Sequence, residues 1–255
     1  SSFQPSISGD GRFIAFQSSA SNLVVGDGNG LQDIFVHDAV TAVTERISVS
    51  SGGVEGGNNS TNARISSDGR HVAFQSTANS LVGGDTNGFE DSFVRDRQLG
   101  TTVRVSVATG GAEATGGASI WPSISGDGRY VAFASGKNNL IAGDSNGAQD
   151  IFVHDLQGLI TERVSVSSAG VQAGAGSVVP SISPDGNRVT FQSSANNLIA
   201  SDANGFDDVF LRDRQAGTTI LVSQSTDGTQ GNSGSGNNSR AGLSTDGSVT
   251  LFSSA

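Results

Sequence analysis

The chain repeats itself. SISGDGRFIAF at residues 6–16 returns as RISSDGRHVAF (64–74), SISGDGRYVAF (123–133), SISPDGNRVTF (181–191) and, weakened, GLSTDGSVTLF (242–252). The Asp of each Asp-Gly falls at 10, 68, 127, 185 and 246, in steps of 58, 59, 58 and 61. Two further motifs keep the same period. One is GDGNGLQDIFVHD (26–38), GDTNGFEDSFVRD (84–96), GDSNGAQDIFVHD (143–155) and SDANGFDDVFLRD (201–213). The other is TERISVS, TVRVSVA, TERVSVS and TILVSQS, starting at Thr44, Thr102, Thr161 and Thr219. Self-similarity at such a period marks an array of identical supersecondary units.

Each unit reads as four strands. A short Ser-Ile-Ser strand A is joined by an Asp-Gly turn, expected to be type I′, to strand B at 13–18. Strand C covers 33–38 and strand D roughly 44–50. Val, Ile and Phe at this density, with Gly/Asn/Ser-rich punctuation and no helical period, point to an all-β chain. Strand B is apolar at consecutive positions (Phe13, Ile14, Ala15, Phe16), as expected for a sheet packed on both faces. Four strands per repeat describe a β-propeller blade. The expected organisation is one domain over 1–255, with repeats near 3–61, 62–120, 121–178 and 179–239 and a partial one at 240–255. Five A–B hairpins meet only four C–D hairpins. Either a five-bladed ring closes with an incomplete blade, the expectation preferred here, or the chain is cut from a longer array. Blades 1 and 3 match (His37 with His154), as do blades 2 and 4 (Arg95 with Arg212), so the array reads as a duplicated pair.

Composition removes several classes of function. A net charge of −10, with a single Lys among 255 residues, argues against nucleic acid. No run of about 18 apolar residues suggests a membrane span, and without cysteine there is no disulfide framework or thiolate site. The Ser-Ser start suggests a processed or excised piece.

The Ser-x-Asp-Gly-Arg-x-Val-Ala-Phe core resembles the WD40-like (PD40) repeat of TolB-type bacterial propellers over the whole chain. The Gly-Asp-x-Asn-Gly-x-x-Asp insert is similar to that of a subgroup found in secreted bacterial proteins. The resemblance implies the fold and an extracellular or cell-envelope setting. It leaves function open among scaffolds, lectin-like binders, peptidase domains and sugar lyases.

Seventeen of 19 Asp residues occupy repeated positions. Asp10, Asp68, Asp127, Asp185 and Asp246 read as turn residues, and Asp38, Asp96, Asp155 and Asp213 as caps of the C–D turn. The remaining pairs bracket an Asn-Gly: Asp27, Asn29 and Asp33; Asp85, Asn87 and Asp91; Asp144, Asn146 and Asp150; Asp202, Asn204 and Asp208. Two carboxylates and an amide oxygen on a tight loop suit a hard cation, and Ca²⁺ accepts irregular oxygen shells. Loops this long need an organising element. The expectation is therefore one Ca²⁺ in each of four B–C loops, weighed against simple Asn-Gly turns.

Strand alternation puts the B–C and D–A loops on one face. At the entry to strand A the repeat varies, through Gln4, Asn62, Trp121, Val179 and Arg240, as a ligand site would. Trp121 could stack on a sugar. His37, His154, Arg95 and Arg212 are expected to form ion pairs between blades, and His71 has no evident partner. The expected function is a non-catalytic, calcium-binding scaffold or adhesion module with a glycan or protein partner. The alternatives are a lectin and a polysaccharide lyase or glycosidase. The incomplete blade offers a route to self-assembly.

Overall fold

The structure, a computed structural model, describes residues 2–200, 202, 204–236, 241–244, 247 and 249–253. Arg240 and Asp246 lie outside the described residues. Eighteen strands are present among them. The first blade is β1 (Ser2–Ile7), β2 (Phe13–Ser18), β3 (Asp33–Asp38) and β4 (Val43–Arg46). The second is β5 (Ser60–Ile65), β6 (His71–Ser76), β7 (Asp91–Asp96) and β8 (Thr101–Arg104). The third is β9 (Ser119–Ile124), β10 (Tyr130–Ser135), β11 (Asp150–Asp155) and β12 (Ile160–Arg163). The fourth is β13 (Ser177–Ile182), β14 (Arg188–Ser193), β15 (Asp208–Asp213) and β16 (Thr218–Leu221). A hairpin of β17 (Gly242–Leu243) and β18 (Thr250–Leu251) follows. Every four-stranded sheet is an antiparallel meander in chain order.

In blades 2 and 3, which have a neighbour on either side, strands B and C are almost wholly buried, whereas Phe13, Ile14 and Phe16 of blade 1 are only half-buried. Phe16–Phe35, Phe74–Phe93, Phe133–Phe152 and Phe191–Phe210 stack with centroids 5.8, 5.8, 5.9 and 5.9 Å apart, one pair per blade. Such pairs add about 1 kcal/mol to the burial of their rings. The blades contact one another in sequence order through their inner strands β1, β5, β9 and β13. Backbone bonds link successive A–B turns across blades: Gly9 to Ser67, Ser67 to Gly126 and Gly126 to Pro184, at 2.9, 2.9 and 2.8 Å. A Cβ on Gly9 would sit 3.1 Å from the Ser67 carbonyl oxygen, so the first turn has little room for a larger residue.

The A–B turns differ from the expected type I′. Gly11 donates to the Ser8 carbonyl at 2.9 Å with φ 76°, while Asp10 keeps a negative φ. This is a four-residue turn closed by a left-handed glycine, and the Asp works as a side-chain acceptor. Its carboxylate takes the Ser8 hydroxyl at 2.6 Å and the Arg12 amide at 3.0 Å. Strand D ends earlier than expected, at Arg46, because the backbone beyond it turns inward: Ile47 donates to Ile34, and Val49 bridges to Glu55. Ring closure is not seen among the described residues. Phe3 and Ile7 on β1 are 50% and 61% exposed, with no extensive contact to the fourth blade or the final hairpin.

Candidate metal centre on the loop face

The B–C loop is folded by its own Asn. Asn29 Oδ1 accepts the Leu31 amide at 2.7 Å, an Asx turn, and Gly30 follows with φ 67°. Asn29 Nδ2 then donates to Asp33 Oδ2 at 3.1 Å and to the Gly56 carbonyl in the D–A loop at 3.2 Å. Asn87, Asn146 and Asn204 repeat this, donating to Asp91, Asp150 and Asp208 at 2.8, 3.2 and 2.8 Å. Their second bonds, to Ala114, Ala173 and Gly231 at 3.0, 2.9 and 3.1 Å, confirm that B–C and D–A loops share a face. The amide nitrogen faces the carboxylate, so each Asn is a strut between loops and not an oxygen donor beside the acids.

Asp33, Asp91, Asp150 and Asp208 are fully buried. Each accepts the hydroxyl of the serine two residues past strand D (Ser48, Ser106, Ser165, Ser223) at 2.5, 2.5, 2.6 and 2.6 Å. That serine oxygen in turn accepts the next amide of strand C, as from Ile34 at 3.1 Å. Burial pushes the Asp33 and Asp150 carboxyls above the ordinary carboxylate value, against the pull of these hydrogen bonds. Asp85 and Asp202 are raised for the same reason.

Two side chains not expected from the sequence complete the cluster. Arg46 on β4 pairs with Glu55 of the D–A loop and lies 3.5 Å from Asp27 Oδ1. In the second blade Arg104 Nη1 stands 3.0 Å from Asp85, 3.5 Å from Asp91 and 2.8 Å from Glu113. In the third, Arg163 Nη1 is 3.4 Å from both Asp144 and Asp150, and Gln172 donates to the same two carboxylates at 2.7 and 3.0 Å. In the fourth, Leu221 replaces the arginine and Gln230 the glutamate. Asp202 and Asp208 therefore lack a guanidinium from that position. The second blade has a further cation, Lys137 from the third blade, wholly buried with its Nζ on Asp91. The signal for the arginines was the aligned column Arg46, Arg104, Arg163, Leu221 in the third sequence motif.

The fit to Ca²⁺ therefore varies by blade. In the first, oxygens of Asp27, Asp33 and Glu55 lie within 4.8 Å of one another. Asp27 Oδ1 is buried with no hydrogen-bond donor. Three carboxylates face one guanidinium, and a hard divalent ion suits that surplus and donor set. In the second blade two protein cations occupy the acidic set.

The variable positions fall on a strained bulge. Gln4, Asn62, Trp121 and Val179 have φ of 50°, 56°, 56° and 53°, where the pairing register of strand A slips. Left-handed backbone at a β-branched residue such as Val179 is rare. Gln17 and Gln75 reach across from the preceding blade to accept the Asn62 and Trp121 amides at 2.9 and 2.7 Å. Trp121 is half-buried on a core cluster, Val179 is buried and Gln4 is exposed.

The expected ion pairs on strand C are replaced by neutral contacts. His37 and His154 Nδ1 bond Thr44 and Thr161 Oγ1, both at 2.9 Å. Arg95 donates to the Ser50, Gly100 and Thr102 oxygens, and Arg212 to those of Ser167, Gly217 and Thr219. His71 does have a partner: its Nε2 is 3.4 Å from Asp96 Oδ2. The C–D caps do more than cap. Asp38 accepts the Val40 amide at 3.0 Å and pairs with Arg12 at 2.7 Å, and Asp155 pairs with Arg129 at 2.7 Å.

Neither a family model nor a curated protein matches the chain. Solved structures do. TolB from Acinetobacter baumannii is 16% identical with a TM-score of 0.53, over 100% of this chain and 54% of that one. A study of two prolyl endopeptidases contributes a structure at 16% identity and TM-score 0.51, over 87% of this chain and 29% of that one. The chain thus spans about half of the Acinetobacter protein. At this identity the likeness shows the fold alone, and the fold is a TolB-like β-propeller.

Proposed function

We propose that the chain is a non-catalytic propeller scaffold or binding module that presents its B–C and D–A loop face to a partner and binds Ca²⁺ there. One observation carries this reading: each blade spends its repeated Asp and Asn on tying the B–C loop to the serine just past strand D and to the D–A loop. The histidines and arginines of strand C are spread around the blades in the same way, whereas chemistry on one substrate needs them gathered at one place. Ca²⁺ would be held by Asp27, Asp33 and Glu55, where acidic charge exceeds protein cations. The fourth loop, with Asp202 and Asp208 and a leucine at the arginine position, carries the same net charge on one carboxylate fewer. A site with so few carboxylates has the modest affinity of extracellular modules, which fits a secreted or envelope protein.

The test is thermal unfolding of chelator-stripped protein in Ca²⁺ and in Mg²⁺. An ion that binds only the native state raises Tm by mass action. The expected result is a Ca²⁺-selective rise that Asp27→Asn removes. Equal melting with chelator and with Ca²⁺ would leave a scaffold without a metal.

A further inference from the structure

The interface between the second and third blades departs from its sisters at two positions that change together. After the buried Asp of strand C come Ile34, Ile151 and Val209 in blades 1, 3 and 4, but Ser92 in blade 2. Two residues past strand B come Ala20, Ala78 and Ala195, but Lys137 in blade 3. Ile34 and Ala78 pack in one core cluster, and Ile151 and Ala195 in another. Between blades 2 and 3 a large residue has become small and a small one large. The lysine stem fills the space, and its ammonium is buried against Asp91.

We infer that the Lys137 ammonium is a built-in cation, doing between blades 2 and 3 what a bound divalent metal does at Asp27, Asp33 and Glu55 of blade 1. The inference rests on the reading that this loop face binds Ca²⁺. Blade 2 has the equivalent carboxylates Asp85, Asp91 and Glu113 ranged about Arg104, with Lys137 added on Asp91, whereas blade 1 sets only Arg46 against its three. The two clusters also differ at a single atom. Asp85 Oδ1 has Arg104 at 3.0 Å, whereas Asp27 Oδ1 has no hydrogen-bond donor although its side chain is 4% exposed. Its ion-pair partner Arg46 stands off at 3.5 Å. A divalent ion brings the first cluster to neutrality and supplies that oxygen with a partner. Gln172 and Gln230 stand at the Glu55 position in blades 3 and 4, so the three-carboxylate set is not repeated there.

Reciprocal swaps test this, with Ca²⁺ bound per chain read by isothermal titration after chelator treatment. Ile34→Ser with Ala78→Lys installs the lysine at the first interface, and should abolish one equivalent of Ca²⁺ while leaving all three carboxylates in place. Ser92→Ile with Lys137→Ala should add one equivalent, removed again by Asp85→Asn. If wild type binds Ca²⁺ and neither swap changes the stoichiometry, the inference is overturned and the loop reading stands. No binding by wild type overturns both. Should a swap fail to fold by circular dichroism, Lys137→Ala alone decides: one added equivalent of Ca²⁺ supports the inference, and an unchanged count overturns it.

Discussion

At the scale of single residues, the repeat supplies its own controls. The C–D turn needs a left-handed residue, and blades 2 and 4 have Gly100 and Gly217 there, with φ 67° and 68°. Blades 1 and 3 hold the same turn with Ala42 and Leu159 at 57° and 52°. A left-handed L-residue costs about 1–2 kcal/mol, so Ala42→Gly should stabilise the protein by roughly 1 kcal/mol despite the freedom glycine adds to the unfolded chain. Chemical denaturation would show it as a higher midpoint at unchanged slope. Lys137 predicts the opposite sign. Lys137→Met keeps the stem but leaves Asp91 buried without its ammonium, and breaking such a pair costs about 3–5 kcal/mol. Burial pushes the Lys137 ammonium below its ordinary value and the Asp91 charge offsets this only in part, so the pair depends on both members being present. A loss below 1 kcal/mol would mean that Asp91 is served adequately by Ser106, Asn87 and Arg104.

At the scale of elements, strands B and C were legible to the residue. Strand B stands at Phe13–Ser18 and strand C at Asp33–Asp38, where the apolar runs and the Asp-Gly and Asn-Gly punctuation set them. What the sequence hid lies between elements. Arg46 meets Glu55 across a loop, Gln75 reaches 46 residues ahead to Trp121, and Lys137 reaches 46 back to Asp91. Pattern within one strand carries no trace of such partners, although the aligned columns of the repeat did. The A–B and C–D turns are joined by Arg–Asp pairs, and these predict an acid limb. Burial alone would raise Asp96, but Arg70 and the Leu99 and Gln98 amides more than offset it and hold it at about 2. Asp38 and Asp155 are likewise depressed, chiefly by hydrogen bonds from Arg12 and Arg129. A carboxylate with a lowered folded pKa stabilises the native state above its unfolded value and loses that contribution as pH falls through the folded one. Tm should therefore drop below about pH 4, and Asp96→Asn should flatten that drop. An acid limb unchanged in the variant would assign it to other groups.

At the scale of the molecule, the architecture is a row of blades whose stability passes from neighbour to neighbour, as in other repeat arrays. Two pairs of arginines on one aromatic ring, Arg12 and Arg97 on Phe13 and Arg129 and Arg214 on Tyr130, join blade 1 to 2 and blade 3 to 4. Between blades 2 and 3, His71 and Leu156 take the corresponding positions and the buried lysine is found instead. The duplicated pairing visible in the sequence is thus also a physical alternation of interfaces. Asp33 adds a linkage at this scale: its carboxyl is raised, so protons compete with a metal for it, and Ca²⁺ affinity should fall as pH drops toward the carboxylate range. The central claim is that the first blade's acidic loop takes a metal and the second blade's is filled by Lys137. Crystals grown in Ca²⁺ and measured for anomalous scattering test it most directly. The account predicts a peak coordinated by Asp27, Asp33 and Glu55 and none at Asp91. A peak beside Asp91, or none at the first loop, would contradict it.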